Sequence, residues 1–420
     1  MAKNSIFKNY KTLVLGVGLL SATAACSNKA GSTEAATPGD GGDSTKAPVE
    51  TGQPNTNYKP AVDGQTRAPG VTTKTPLSIT VLNSALDHPW SICPLPDGRF
   101  IVTEKTGTMQ LLKADGTADK KITGLPKVVD KEQGGLLDVK VDPQFSSNRT
   151  IFWGFSDQTP TGTVLAIAKG QLSADETKIE NISVIYRTSP AFEGYLHYGS
   201  RIVFDKQGNL FVSSGERSSK ETRMYAQDVK TTLGKIIHIT KDGKPVSNGP
   251  FASQAGAKPE VYAYGLRNPQ GLAWNPETGD LWEAEFGPRG GDEINIIKAG
   301  KNYGWPVITY GIEYSGEKVG EGIQQKEGME QPVYYWDPSI SPSGITFYSG
   351  NAIPEWKNNL FIGTLSGTHI ARLVIKDNKV VGEERLLKDK GERFRAVAEG
   401  QDGALYTVTD GGKLYKISKK

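Results

Sequence analysis

Cysteine and histidine are scarce in this chain of 420 residues, which contains two cysteines and four histidines. Two cysteines cannot form a disulfide framework or a cysteine-based zinc or iron–sulfur centre, and four histidines argue against a histidine-rich metal site. Neither sign of charge is in excess, because 49 basic residues oppose 46 acidic ones and leave a net charge of +3. So small a net charge does not indicate the basic surface that binds nucleic acid, and we expect no nucleic-acid partner.

Glycine and proline are abundant, with 49 and 24 residues. Glycine makes up about 12% of the chain, against a usual share of about 7%. Both residues weaken helix interiors, so helix bundles and coiled coils are excluded. The length suggests two or three domains, but the composition argues against that interpretation.

The N-terminus is typical of an exported protein. Three lysines precede a short apolar stretch, Leu13 to Leu20, and a run of small residues ends before Cys26. We predict a cleaved signal peptide over residues 1–25. The small residues also fit a bacterial lipoprotein signal, in which an acylated Cys26 anchors the protein to a membrane in the periplasm or at the cell surface. Export with an unmodified Cys26, or a disulfide with Cys93, are the alternatives.

Residues 26–75 have the composition of a flexible segment. From residue 27 to residue 75 the sequence contains no Ile, Leu, Phe, Met or Trp. Such a segment cannot bury enough apolar surface to offset the entropy lost on ordering. We therefore predict a disordered tether over residues 26–75 and a folded domain over residues 76–420.

A turn followed by a short apolar strand recurs along the folded part. The six copies are residues 96–102, 146–152, 206–212, 277–282, 357–362 and 401–406. Each interval is long enough for a four-stranded sheet, and radial repetition of such sheets is a β-propeller. The repeat predicts an all-β, six-bladed β-propeller of four-stranded antiparallel blades, in which a strand near Leu77 to Leu82 pairs in the last blade. Two stacked β-sandwiches are the competing architecture.

Four polar segments have compositions unlike a plain core or a plain surface. They are residues 195–201, 264–271, 285–293 and 391–395. Taken separately, their residues have structural explanations: a packed histidine, ion-paired arginines, a Gly–Pro turn and loop acids. On one propeller face, three arginines, a histidine and an oxygen-rich turn suited to calcium suggest a polyanionic ligand beside a base.

These segments resemble the soluble PQQ-dependent aldose/glucose dehydrogenases, six-bladed quinoproteins of the glucose/sorbosone dehydrogenase type. The motifs lie in family order along the whole folded part: residues 89–91, 102–105, 133–137, 196–201, 264–271, 285–288, 292–293, 302–306 and 393–395. Any one of them is weak, whereas the ordered set is specific. The resemblance implies oxidation of aldose sugars at the anomeric carbon to aldonolactones, with electrons passing to an external acceptor.

The resemblance also implies residue roles. His197 would be the general base. The residues that would hold the PQQ cofactor are Gln133, Arg267, Asn268, Gln270, Arg393 and Arg395. Calcium would bind the backbone carbonyls of Gly287 and Pro288, and a second calcium would bind near Glu293 and the carbonyl of Tyr303, often beside a dimer contact. Both a homodimer and a monomer stay open.

One position departs from the family pattern. Ser366 stands where the family usually has a lysine that contributes to PQQ binding, and His369 or Arg372 are candidates for compensation. This departure keeps two other functions open: a calcium-dependent lactonase-type hydrolase and a non-catalytic, surface-anchored binding propeller. A long irregular insertion runs from residue 302 to residue 349. Its candidate cavity walls, equally explained as packing, are Tyr310, Tyr335, Trp336 and Phe347.

Overall fold

The computed structural model describes residues 46–420. The predicted signal peptide, Cys26 and the first part of the predicted tether lie outside the described residues. Within residues 46–420, no helix is long and apolar enough to cross a membrane.

The described chain forms six four-stranded antiparallel sheets. Five are built from four consecutive strands, and the sixth combines the first strand with the last three. Blade 1 contains β2 (Pro89–Pro94), β3 (Phe100–Glu104), β4 (Thr108–Leu112) and β5 (Ala118–Ile122). Blade 2 contains β6 (Leu136–Val141), β7 (Thr150–Thr159), β8 (Gly162–Leu172) and β9 (Ile179–Arg187). Blade 3 contains β10 (Gly199–Phe204), β11 (Leu210–Ser214), β12 (Lys235–Ile239) and β13 (Val261–Tyr264).

The second half of the ring has the same construction. Blade 4 contains β14 (Pro269–Trp274), β15 (Leu281–Glu285), β16 (Asp292–Ile297) and β17 (Tyr334–Trp336). Blade 5 contains β18 (Pro342–Phe347), β19 (Leu360–Thr364), β20 (Ile370–Lys376) and β21 (Lys379–Leu386). Blade 6 contains β22 (Phe394–Glu399), β23 (Leu405–Thr409), β24 (Leu414–Lys419) and β1 (Leu77–Asn83). Helices are limited to α1 (Phe145–Asn148) and 3₁₀ turns at Arg223–Gln227, Pro354–Trp356 and Lys388–Lys390.

The first strands of the blades surround the axis of the ring. Contacts run from β2 to β6, β10, β14, β18, β22 and back to β2. The ring is closed by β1, which pairs antiparallel with β24 in the register Leu77↔Lys419 to Val81↔Tyr415. The six-bladed propeller and its closing strand are therefore confirmed.

The repeated unit predicted from the sequence is the second strand of every blade. The bulky residues of the six copies are all buried, at Ile101, Phe152, Phe211, Trp282, Phe361 and Tyr406. Apolar side chains from neighbouring blades form six clusters, one between each pair. Cys93 belongs to the cluster between blades 1 and 2. Burying these faces is the main favourable term for the ring, at about 25 cal/mol per Å² of apolar surface.

Residues 46–75 differ from the expected disordered tether. They run along blades 4 and 5 and are joined to them by hydrogen bonds, among them Ala68 N–H to Tyr334 Oη at 2.9 Å and Thr73 Oγ1 to Glu384 Oε2 at 2.6 Å. Polar groups of the propeller, rather than apolar burial, order this segment. We call residues 46–75 the strap, and the ordered domain therefore begins before residue 76.

Candidate functional site

A cavity of about 210 Å³ lies where the six innermost strands begin. Its wall combines three arginines and two glutamines with a histidine and several aromatic rings. The lining residues are Trp90, Gln133, Leu137, His197, Tyr198, Gly199, Arg267, Gln270, Phe286, Tyr314, Ser341, Leu365, Arg393 and Arg395. Segments far apart in sequence converge here because each blade contributes the start of its first strand.

His197 is held rigidly in the wall of this cavity. Its backbone has φ 48° and its N–H donates to Gln133 Oε1 at 2.8 Å, while the side chain is buried. Nδ1 lies 2.7 Å from Glu216 Oε1. Because the carboxylate accepts a hydrogen bond from Nδ1–H, Nε2 of the neutral ring is left as a lone-pair acceptor.

Burial controls the charge of this histidine. Desolvation, reinforced by the positive charge of Arg267, lowers the pKa of His197 to about 4, and the hydrogen bond that His197 donates to Glu216 opposes the shift only in part. The imidazole is therefore neutral at pH 7 and able to take up a proton. Among residues 46–420, no group is hydrogen-bonded to its Nε2.

Glu216 is the hydrogen-bond partner of His197, and the sequence did not reveal it. It follows β11 and is almost completely buried, and its backbone N–H donates to the Arg267 carbonyl at 2.9 Å. The preceding Gly215 packs directly on the His197 carbonyl, where a Cβ would clash. A glycine–acid pair directly after a strand was the only available signal. The separation of 19 positions between His197 and Glu216 is not a diagnostic spacing.

Arg267 is the most buried of the three cavity arginines. Its Nη1 donates to the carbonyls of Phe286 and Gly287 at 3.0 and 2.6 Å, and its guanidinium lies 5.2 Å from the Trp305 ring. Its Nε is buried and has no partner among residues 46–420. One donor of a fixed guanidinium thus has no protein partner in the described part of the chain.

Arg393 and Arg395 reach the cavity from the start of β22. Both pair with Asp410, Arg393 through Nε at 2.9 Å and Arg395 through Nε and Nη2 at 2.8 and 3.0 Å. One carboxylate thus orients two guanidiniums, and their net charge is positive. Arg393 and Arg395 both line the cavity, and Phe394 between them is buried in the core.

Asn268 and Gln270 belong to the same network, although only Gln270 lines the cavity. Gln270 Nε2 donates to the Gly199 carbonyl at 3.2 Å, and Asn268 Oδ1 accepts from the Gly199 N–H at 3.2 Å. Asn268 Nδ2 is buried without a partner among the residues that the structure describes. Together with Arg267 Nε, it is a second donor left open beside the cavity.

The Gly287–Pro288 turn is surrounded by buried acids. Gly287 packs on the backbone of Gly291, and its N–H donates to Asp292 Oδ1 at 2.8 Å. Burial raises the pKa of Glu285 and of Asp292 to about 7 in each case. Carboxylates that resist ionisation in this way favour a cation nearby.

A second, very small cavity of about 10 Å³ adjoins this turn. Gly287, Glu293 and Tyr303 line it, whereas Pro288 does not; the Pro288 carbonyl accepts from Ser339 Oγ at 3.3 Å. The space suits one water-sized species. Within residues 46–420, no cluster of three or more His, Cys, Asp or Glu side chains is placed to hold a metal ion.

Several other candidates lie away from the cavity. Tyr310 stacks on Tyr335 with ring centroids 3.9 Å apart, and Trp336 and Phe347 are core residues. These four aromatics serve packing, whereas the aromatic wall is made by Trp90, Tyr198, Phe286 and Tyr314.

The position that departs from the family pattern lies beside the cavity. Ser366 Oγ is 2.8 Å from the Oγ of Ser341, which lines the cavity. Arg372 is buried in an ion pair with Glu384 at 2.7 Å, and His369 Nδ1 lies 2.6 Å from the Gly367 carbonyl. Neither Arg372 nor His369 lines the cavity, so neither replaces the missing lysine there.

Comparison with known proteins agrees with this geometry. Residues 86–416 match the family model described as Glucose / Sorbosone dehydrogenase. The chain is 40% identical over 349 residues to aldose sugar dehydrogenase YliI of Escherichia coli K12, covering 82% of this chain and 93% of that protein.

Solved structures show the same likeness. The apo-form of the soluble E. coli aldose sugar dehydrogenase superposes with a TM-score of 0.79 at 39% identity, over 82% of this chain and all of that one. The PQQ-bound form of an aldose sugar dehydrogenase from Streptomyces coelicolor gives a TM-score of 0.67 at 26% identity, over 83% of this chain and 99% of that one. The chain therefore belongs to the glucose/sorbosone dehydrogenase family and is a sugar dehydrogenase.

Proposed function

We propose that this enzyme oxidises aldose sugars at the anomeric carbon to aldonolactones, using PQQ and calcium and passing the electrons to an external acceptor. The observation that supports this most directly is the pairing of a buried, neutral His197 with a cavity lined by three arginines. A base and a polyanion site side by side are what such a reaction requires.

The cavity fits a planar cofactor with several carboxylates. Arg267, Arg393 and Arg395 surround it, and two buried donors, Arg267 Nε and Asn268 Nδ2, have no protein partner in the described part of the chain. Unsatisfied buried donors are costly, and carboxylate oxygens would satisfy them. We infer that these residues hold PQQ, with help from the amides of Gln133 and Gln270.

The turn beside the cavity fits calcium in its donor chemistry. The Gly287 and Pro288 carbonyls and the buried carboxylates nearby are hard oxygen donors, which calcium prefers. A second ion would suit the small cavity at Glu293 and Tyr303. When bound, PQQ would accept the hydride and calcium would polarise its quinone carbonyl.

The protein's own chemistry in this reaction is proton transfer and positioning. His197 Nε2 takes the proton of the anomeric hydroxyl, while Glu216 fixes the ring and stabilises the imidazolium that forms. The backbone N–H of Glu216 donates to the Arg267 carbonyl. This bond fixes the partner of the proposed base relative to an arginine of the proposed cofactor site.

Export and anchoring complete the proposal. The lysine-rich head, apolar stretch and Cys26 of the sequence support a signal peptide over residues 1–25 and a lipid anchor. We infer a periplasmic or cell-surface enzyme attached to a membrane.

Titration of PQQ into the apo-protein with calcium, followed by reduction of an artificial electron acceptor with a panel of aldoses, tests the function. We expect tight PQQ binding and PQQ-dependent turnover. In His197→Ala we expect a fall in kcat of at least about 100-fold, the contribution of a positioned base, with PQQ affinity little changed.

Three results would contradict the proposal. Activity that survives in His197→Ala would exclude His197 as the base. A protein that binds no PQQ but hydrolyses lactones with calcium would be a lactonase, and one that does neither would be a binding propeller.

A further inference from the structure

The strap, residues 46–75, is bound most closely where it passes the long insertion of blade 4. There the Asp337 carboxylate accepts hydrogen bonds from the backbone N–H groups of Asn55 and Thr56 at 2.8 and 3.0 Å. It also accepts from Asn55 Nδ2 at 2.8 Å and Thr56 Oγ1 at 3.0 Å. Four donors from the strap therefore fix one carboxylate, across a sequence separation of 282 residues.

A second group of hydrogen bonds runs from the Arg67 side chain of the strap to backbone carbonyls. Arg67 Nη2 donates to the Asp337 carbonyl at 2.9 Å and to the Gly52 carbonyl at 2.7 Å. The strap is thus folded on itself around Arg67 and pinned to Asp337 from both sides. Hydrogen bonds from a charged donor of this kind are strong and directional.

Asp337 in turn supports the Gly287–Pro288 turn. Its carboxylate packs on Gly290, where a Cβ would lie 2.8 Å from Oδ1. Two residues further on, Ser339 Oγ accepts from the Gly290 N–H at 2.9 Å and donates to the Pro288 carbonyl at 3.3 Å.

The same segment also orients Asp292 at the far end of the turn. The N–H groups of Ile340 and Ser341 donate to Asp292 Oδ2 at 2.8 and 2.6 Å. Residues 337–341 therefore contact the turn and the residues that follow it. The strap in turn binds to Asp337, at the start of this segment.

The strap also touches the turn directly. Asn55 Oδ1 accepts from Arg289 Nε at 3.0 Å. Gly291 packs on Tyr310, whose hydroxyl accepts from the Ala61 N–H at 3.1 Å. Arg289 and Gly291, which follow the Gly287–Pro288 turn, are thus each connected to the strap through one side chain.

The strap precedes residues 86–416, which the family model matches. It reaches the neighbourhood of the proposed cofactor site. Groups behind the ligands of a metal tune its affinity by fixing the ligands' orientation.

We propose that the strap is a positioning element for calcium at the Gly287–Pro288 turn. It acts through Asp337 and residues 339–341, and the proposal rests on the proposed function. Loosening the strap leaves the carbonyls in place on average but broadens their orientation. The calcium affinity of the turn then falls while the propeller keeps its fold.

The test compares wild type with Asn55→Ala/Thr56→Val and, independently, with Arg67→Ala. Thr73→Val is the matched control, since Thr73 bonds to Glu384 and Trp356 on blade 5 at 2.6 and 2.7 Å, away from the turn. Calcium is titrated into the full, PQQ-free protein by calorimetry. Thermal midpoints are measured in a chelator.

We expect calcium binding weakened by roughly 10-fold or more in Asn55→Ala/Thr56→Val and in Arg67→Ala, and unchanged in Thr73→Val. The thermal unfolding midpoints measured with a calcium chelator should fall by similar amounts in the test variants and in the control variant. Wild-type affinity in both test variants, or equal weakening in Thr73→Val, would overturn the strap proposal alone. A wild-type protein that binds no calcium would overturn the calcium part of the proposed function as well.

Discussion

The His197–Glu216 pair makes a base that operates far from the usual histidine range. Burial keeps the ring neutral, and the carboxylate holds the tautomer in which Nε2 accepts a proton. An exposed histidine would be partly protonated below about pH 6.5. Here the pKa is about 4, so the base form persists into mildly acidic solution.

We therefore expect the acid limb of kcat/KM to lie near pH 4 rather than near 6.5. Glu216→Ala removes the acceptor of Nδ1–H, so kcat should fall about 100-fold, while PQQ affinity stays close to wild type. Steady-state kinetics across pH 3.5 to 8 would check both points. An acid limb at the usual histidine pKa would contradict the buried neutral base.

The same shift makes stability depend on pH. The folded pKa of His197 lies below the unfolded value, so the unfolded chain binds more protons between about pH 4 and 6.5. The contribution of this residue to stability is present above pH 6.5 and is lost as the pH falls through that window.

Among the elements around the cavity, a short hairpin over residues 312–318 forms part of its mouth. Ile312 bridges to Lys318, and the Gly316 N–H donates to the Glu313 carbonyl at 2.9 Å. Glu313 pairs with Arg223 at 2.5 Å, which fixes the hairpin to the 3₁₀ turn at Arg223–Gln227. Tyr314 projects from the hairpin and is 72% exposed, although it lines the cavity.

An exposed aromatic ring at the mouth is suited to contact the sugar rather than the buried cofactor. Tyr314→Ala should raise KM for aldoses by up to about tenfold, the value of one aromatic contact, with kcat nearly unchanged. Tyr225→Ala, which alters another partly exposed tyrosine that does not line the cavity, is the control. A matching rise in KM in the control would exclude a specific contact.

For the whole molecule, Arg201 joins all six blades at the axis. Its guanidinium pairs with Asp138 at 3.2 Å, donates to the carbonyls of Gln270 and Arg395, and lies 4.1 Å from the Trp90 ring. Its own strand belongs to blade 3. A Cβ on Gly344 of blade 5 would lie 3.0 Å from Nη2, so only glycine leaves it this space.

Replacing this arginine should destabilise the ring as a unit. Arg201→Met leaves Asp138 buried without its cation, which costs about 3–5 kcal/mol of unfolding free energy. Arg187→Met, at a half-exposed pair with Asp157, should have no measurable effect. Urea unfolding of the three proteins would measure this, and similar midpoints for both variants would contradict a central role for Arg201.

The sequence determined the propeller itself. A turn followed by an apolar strand is a local pattern, and six copies placed Ile101 through Tyr406 in the second strands of six blades. It also placed His197, Arg267, Arg393 and Arg395 at strand starts, where the blades of one ring must converge.

The contacts between distant residues required the folded chain. Composition predicted a disordered segment at residues 46–75 because it has little to bury, yet polar donors bind it to Asp337 and Glu384. Likewise, the sequence alone does not show that Glu216 pairs with His197. Nor does it show that Arg201 contacts several blades at the axis instead of lining the site. Local sequence encodes turns and strands, whereas pairings between residues such as Asn55 and Asp337, 282 positions apart, exist only once the ring has closed.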